Sequence, residues 1–277
     1  MSVRHARRLL ALSAALFLIA SSAFAQAQTK PFEPTVGQAG KDVVWVPTPQ
    51  TLVERMLDLA KLTPQDYLMD LGSGDGRTVI TAAKRGATAQ GIEYNPDMVA
   101  LSQKNAKEAN VTAKATFVKA DLFETDFSKA QVVTMFLLPS INLRLRPKIL
   151  EMKPGTRVVS NTFTMDDWTP DETSSVTEDC TSWCTALLWI VPAKVEGAWA
   201  MPQGALTLTQ KFQMVTGTLG STPISDGRLR GDQISFSAGN TEYTGRVNGN
   251  DIEGTMRGAS AGPWHATRTT AKPAAAK

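Results

Sequence analysis

One turn constrains this chain more than any other feature. Asp70-Leu71-Gly72-Ser73-Gly74-Asp75-Gly76 sets three glycines at alternate positions between an apolar run and an amphipathic stretch. Glycines there let the backbone approach a ligand closely, while the helix that follows turns its free N–H groups toward it. Tyr67 to Leu71 is predicted as a short buried strand and Gly76 to Lys84 as the helix it feeds. A nucleoside triphosphate loop needs Gly-Lys-Ser/Thr after its turn, and Gly76-Arg77-Thr78 departs from that at a shorter spacing. A dinucleotide turn puts its third glycine three places after the second, whereas here the glycines stand at 72, 74 and 76. Neither phosphate-binding pattern fits.

The same alternation continues along residues 43–193. Strands are predicted over Ala89 to Glu93, Thr116 to Lys119, Val132 to Phe136 and Arg157 to Ser160, with helices from Pro96 to about Ala109 and from Asn142 to Met152. That order is the βαβ rhythm of an open, mostly parallel sheet. Beyond Pro192 the texture changes, because twelve of the twenty glycines lie between Gly197 and Gly262 among stretches that alternate polar and apolar. Residues 194–268 therefore read as a separate all-β domain of six to eight short antiparallel strands, with Asn248-Gly249 and Gly231-Asp232 as turns. A segment this short suits a filled module better than a ligand-holding calyx. Residues 26–42, with Pro31, Pro34, Gly37 and Gly40, read as an irregular linker across the surface, and 269–277 as a frayed Ala-rich tail.

The amino terminus has the three parts of an export signal: basic Arg4, Arg7 and Arg8, an apolar run from Leu9 to Ala20, and Ala23-Phe24-Ala25 for cleavage. The apolar run is too short for a permanent membrane span. Arg7-Arg8 ahead of it also echoes a twin-arginine signal, which carries folded protein, although the flanking residues depart from that motif. Cleavage after Ala25 removes three arginines and no acid, leaving 26 basic against 26 acidic side chains. A neutral protein without a basic block is a poor partner for nucleic acid. Histidine occurs only at His5 and His265, which disfavours triad hydrolysis and multi-histidine metal sites. Cys180 and Cys184 flank Thr181-Ser182-Trp183; in a hairpin loop between strands six and seven they would face each other within bonding reach, and on one continuous strand they would remain free.

The segment Met69 to Arg77 closely resembles the S-adenosylmethionine loop of class I methyltransferases. The resemblance implies an α/β, Rossmann-like seven-stranded sheet in the order 3-2-1-4-5-7-6, ahead of the small antiparallel all-β domain, with S-adenosyl-L-methionine as cofactor. On that reading Asp70, Gly72, Ser73, Gly74, Asp75 and Gly76 form the cofactor loop. Glu93, 23 residues after Asp70 at the end of the second strand, accepts both ribose hydroxyls, and Asp121 after the third strand meets the adenine amino group. Pro47, Thr48 and Leu122 complete the implied set.

A narrower resemblance rests on Val46-Pro47-Thr48-Pro49, the glycine loop and Asp121-Leu122-Phe123. These look like the lysine methyltransferase family that includes the mitochondrial enzyme acting on the membrane-ring protein of ATP synthase, over about residues 43 to 170. The implied acceptor is a protein, with lysine as one choice, or a small molecule. At the end of strand four, where Asp or Asn followed by Pro-Pro is expected, the chain has Phe136-Leu137-Leu138-Pro139, so the polar grip on an amino group is missing there. Methyl transfer from a sulfonium needs positioning and water exclusion more than an acid or base, which suits a chain so poor in histidine. Substrate-side candidates are Trp45 and Pro47, Phe136 and Pro139, and Asp166, Asp167 and Trp168, all on loops at the carboxyl edge of the sheet. A reading of another class is an exported, non-catalytic binding protein that keeps the fold; the joint presence of Asp70, Gly72, Gly74, Glu93 and Asp121 weighs against it.

Overall fold

A computed structural model describes residues 32–269; the expected export signal over 1–25 and residues 270–277 of the expected tail lie outside the described residues. Seven strands form the first sheet: β1 (Tyr67–Leu71), β2 (Thr88–Glu93), β3 (Ala115–Lys119), β4 (Val132–Met135), β5 (Arg157–Asn161), β6 (Glu172–Ser175) and β7 (Thr185–Ile190). Their spatial order is β3-β2-β1-β4-β5-β7-β6, the order implied by the resemblance. β1 through β5 are parallel, and β7 runs antiparallel between β5 and β6. β1 and β4 read as near-continuous apolar runs because they are covered on both faces.

Alternation along the strands divides two cores. Leu68, Val132, Val159, Leu188 and Ile190 face helices α1 (Gln50–Leu59), α2 (Arg77–Lys84) and α3 (Pro96–Glu108). Met69, Val133, Val158, Leu187 and Trp189 face α4 (Pro139–Leu150) and the loops beside it. Helix α4 starts at Pro139, earlier than expected at Asn142, because proline is well suited to the first helical position, where its missing N–H costs nothing.

Eight further strands close into an antiparallel barrel: β8 (Gly197–Met201), β9 (Gly204–Lys211), β10 (Met214–Leu219), β11 (Thr222–Arg230), β12 (Gln233–Ala238), β13 (Thr241–Asn248), β14 (Asp251–Gly258) and β15 (Gly262–Arg268). Trp199, Leu206, Leu208, Leu229, Ile234, Phe236, Tyr243, Ile252 and Trp264 pack together as its core, so the barrel is filled. Among the described residues, no helix is long and apolar enough to cross a membrane.

The barrel docks against the β6 edge of the sheet. Phe212 stacks on Trp168 at 5.6 Å, Gln213 Nε2 donates to the Thr169 carbonyl at 2.8 Å, and Arg228 Nη2 donates to Asp171 Oδ1 at 2.8 Å. Arg230 pairs with Glu172 at the start of β6 itself. The barrel thereby grips the start of this short edge strand, whose Thr173 and Ser175 stay exposed.

Candidate active site

The cleft lies at the carboxyl ends of β1 to β4, where open α/β sheets bind ligands. Counting its open mouth it encloses about 1050 Å³. The glycine turn forms its floor. Gly72 and Ser73 both donate their N–H to the Ile92 carbonyl, at 2.9 and 3.0 Å, which ties the turn to the end of β2. Gly74 adopts φ +55°, and a Cβ there would sit 2.6 Å from Trp45 Nε1. The turn therefore needs glycine both for its backbone and for the indole that lies against it.

Three carboxylates from successive strand ends face this floor. Asp70, at the end of β1, accepts from Thr134 Oγ1 at 2.6 Å. Burial pushes its carboxyl up to about 7, aided by the negative Asp75 and Glu93 and opposed by the hydroxyls of Thr134 and Thr78. Glu93 accepts from the Gly74 N–H at 3.0 Å through one oxygen and from the Asn95 N–H at 2.9 Å through the other. Each oxygen keeps a further lone pair for a ligand. Asp121, after β3, is held by the Lys41 ammonium and by the Phe123 N–H, and these hydrogen bonds keep its carboxyl below the usual carboxylate range. Asp75 also lines the cleft, but Arg77 takes its carboxylate through both Nε and Nη2 while reaching the Thr48 carbonyl at 2.7 Å. That clamp fixes Pro47 and Thr48 over the loop.

Trp45, Pro47, Thr48, Asp70, Gly72, Ser73, Gly74, Asp75, Glu93, Asp121, Leu122 and Phe136 all line the cleft. The other expected residues do not. Gly76 lies outside it at φ +84°, and its missing Cβ makes room for Phe117 and Ser102, so its task is packing α2 onto the sheet. Pro139 is exposed at the start of α4 and does not line the cleft. Trp168 is fully buried between Trp189 and Phe212, and Asp167 pairs with Arg146 and Lys211. These two serve the contact between sheet and barrel, because a loop following β5 could turn either toward the cleft or beneath the barrel. Asp166, at φ +57°, belongs to that same loop and is not a cleft residue either.

The linker is the other correction. Residues 38–42 line the cleft instead of crossing open surface. The Gly37 N–H donates to the Trp45 carbonyl and the Trp45 N–H to the Gln38 carbonyl, folding this strap back on itself. Lys41 then spans the cleft to Asp121 and lies 4.8 Å from the Tyr94 ring centroid. Lys41, Tyr94 and Thr134 carry no periodic or motif signal in the sequence. Phe163 and Trp183 carry none either, yet Phe136 stacks on Phe163 at 5.8 Å and meets Trp183 at 6.0 Å. Only the two cysteines bracketing Trp183 mark that loop.

Comparison with known proteins agrees with this geometry. Residues 70–172 match the model of the ANTKMT methyltransferase domain. A protein-lysine N-methyltransferase of Saccharolobus islandicus is 45% identical over 152 residues, which is 54% of this chain and 94% of that protein. The chain belongs to the class I S-adenosylmethionine-dependent methyltransferases. The human lysine N-methyltransferase named for the c-subunit of ATP synthase is 37% identical over 46% of this chain and 54% of its own length. The match to the mouse enzyme of the same name, at 42% identity, covers 44% of that protein, so the chain spans about half the length of these mammalian relatives. Among solved structures, an RNA methyltransferase of Salinibacter ruber in complex with S-adenosyl-L-homocysteine is 49% identical over 54% of this chain and 96% of that one, with a TM-score of 0.51.

The cleft of this methyltransferase fits its cofactor. A glycine cradle that one added Cβ would fill suits the close approach of a nucleoside amino acid, and the carboxylates supply acceptors for ammonium, ribose and adenine donors. The cofactor brings a methyl group on a sulfonium; the chain's own task is to hold it, aim it and keep water out.

Proposed function

We propose that this methyltransferase acts on the side-chain amine of a protein lysine, and does so outside the cytosol. One observation carries the reading: the glycine turn, Asp70, Glu93 and Asp121 converge on one cleft that Phe136 also lines, its ring backed by Phe163 and Trp183. Asp70 and Gly72 to Gly74 would hold the amino-acid end of the cofactor, the free lone pairs of Glu93 the ribose, and Asp121, once Lys41 swings off it, the adenine amino group. Held there, the cofactor would supply a methyl group to the lysine amine once that group has lost its ammonium proton to solvent; the bond to sulfur would break with its electron pair left on a neutral thioether, and the methylated amine would shed its second proton to solvent. The relatives named for protein lysine support this acceptor, while the one named for RNA sets the alternative that the assay must exclude. The balanced charge after export weighs toward protein.

Isothermal titration of the protein from Gln26 onward with S-adenosylhomocysteine is expected to give micromolar affinity. Transfer of a labelled methyl group to protein in an envelope extract, unaffected by ribonuclease and lost to protease, is the second expected result. Absence of binding heat would favour the non-catalytic reading, and ribonuclease-sensitive label would replace lysine with RNA. The Cys180–Cys184 bridge supports an oxidising location. In an exporting bacterium the mature mass should begin at Gln26; a full-length cytoplasmic product would contradict export.

A further inference from the structure

The loop 176–184 between β6 and β7 is longer than the three-residue turn its cysteines bracket, and it is closed at its end. Cys180 and Cys184 form a disulfide with their Cα atoms 5.8 Å apart, and the Val176 N–H donates to the Cys184 carbonyl across the base of the loop. Trp183 lies inside that ring. It holds φ +56°, a conformation that costs a bulky residue about 1 kcal/mol or more, and its indole is 43% exposed.

We propose that Trp183 is an acceptor-contacting residue, that the acceptor it recognises is an alkylamine, and that this side of the cleft is complete only while the Cys180–Cys184 disulfide is formed. The proposal rests on the methyltransferase reading above. Its geometry begins with Phe136, which lines the cleft at the end of β4. Phe163 stacks on that ring with an interplanar angle of 19°, and Trp183 tilts toward it at 59°. Phe163 is fixed from behind: its carbonyl accepts from Ser160 Oγ at 2.8 Å and from Asn142 Nδ2 at 3.1 Å. Phe136 and Phe163 are thus set by the sheet and α4, whereas Trp183 depends on its loop.

That loop is secured at three points. The Val176 N–H bond to the Cys184 carbonyl closes its base, while the barrel holds only the opposite end of β6 through Arg228 on Asp171 and Arg230 on Glu172. Thr51 Oγ1 at the start of α1 donates to the Glu178 carbonyl at 3.1 Å. The disulfide holds the tip, and without it the unfavourable backbone of Trp183 has no covalent restraint. A large ring kept exposed in a costly conformation beside the cleft has no core to serve. Phe163 and Trp183 do not themselves line the cleft but extend the aromatic surface that Phe136 begins there, and such a surface attracts an ammonium and packs against a methylene stem, which replaces the polar grip absent from Phe136-Leu137-Leu138-Pro139.

The test uses the protein from Gln26 onward, labelled S-adenosylmethionine and poly-L-lysine as acceptor. Trp183→Ala is expected to raise KM for polylysine about tenfold, with affinity for S-adenosylhomocysteine within twofold of wild type, and Trp183→Phe to recover most of the loss. Cys180→Ser/Cys184→Ser, or reduction of the wild type, should reproduce the Trp183→Ala value, and reduction of Trp183→Ala should add nothing. The proposal is overturned by an unchanged KM in Trp183→Ala, by an equal loss of cofactor affinity, by insensitivity to reduction, or by a wild type that binds S-adenosylhomocysteine yet leaves polylysine unlabelled. A wild type that binds no S-adenosylhomocysteine instead sinks the methyltransferase reading beneath it.

Discussion

Gly74→Val should lower affinity for S-adenosylhomocysteine at least ~100-fold, a loss of about 2.7 kcal/mol. Two effects add. A β-branched residue at φ +55° is strained by about 1–2 kcal/mol, so the turn shifts toward ordinary backbone. The new side chain also has nowhere to stand, since even its Cβ would meet Trp45 Nε1 at 2.6 Å. Relief requires moving either the indole into the cleft or the turn out of it. The second movement breaks the Gly74 N–H bond to Glu93 and disturbs the carboxylate assigned to the ribose. Circular dichroism and the thermal unfolding midpoint of the variant, measured beside the binding titration, tell a global collapse apart from a lost site. A valine variant that binds within threefold of wild type would show that the turn does not cradle the cofactor.

Asp70→Asn should raise the stability of the ligand-free protein at pH 8 by about 2–4 kcal/mol while weakening cofactor binding. The sign follows from the direction of the shift. Asp70 is buried and its carboxyl is raised to about 7 from an ordinary 3.8, so between those values the folded state binds more protons than the unfolded one. Stability therefore falls as pH rises from about 4 to about 7, and the cost of ionising Asp70 is complete above pH 7. Asparagine keeps the shape and the bond from Thr134 but cannot ionise. The variant's advantage should vanish at pH 4, where the native carboxyl is already protonated. Chemical denaturation at pH 4 and pH 8 measures this, and an equal effect at both values would mean that packing, not charge, is responsible. The simultaneous loss of affinity expresses a general trade: a carboxylate kept in an unfavourable place so that a cationic ligand can compensate it.

Asp70, Glu93 and Asp121 can be placed from sequence because each lies at or just after the end of an apolar strand. In a parallel sheet of βαβ units the carboxyl ends of these strands share one edge, so each acid comes to that edge. The glycine turn is legible for the same reason, since its backbone demands are local. Trp168 shows the opposite case. Its position after β5 follows from the sequence, yet its direction depends on Phe212, which lies in another domain and buries the indole. Lys41 sits in a segment whose prolines and glycines carry no period, so nothing local says that it folds back to Asp121.

The order of strands and helices, the glycine turn, and the acidic residue at each of three strand ends were determined by the sequence alone, because backbone conformation and apolar periodicity act over a few neighbouring residues. Closure of the barrel, its grip on β6, the strap across the cleft, and the meeting of Phe136, Phe163 and Trp183 were decided only by the tertiary structure. Those contacts join residues far apart in the chain, and their free energy comes from apolar area and charge brought together after the local elements have formed.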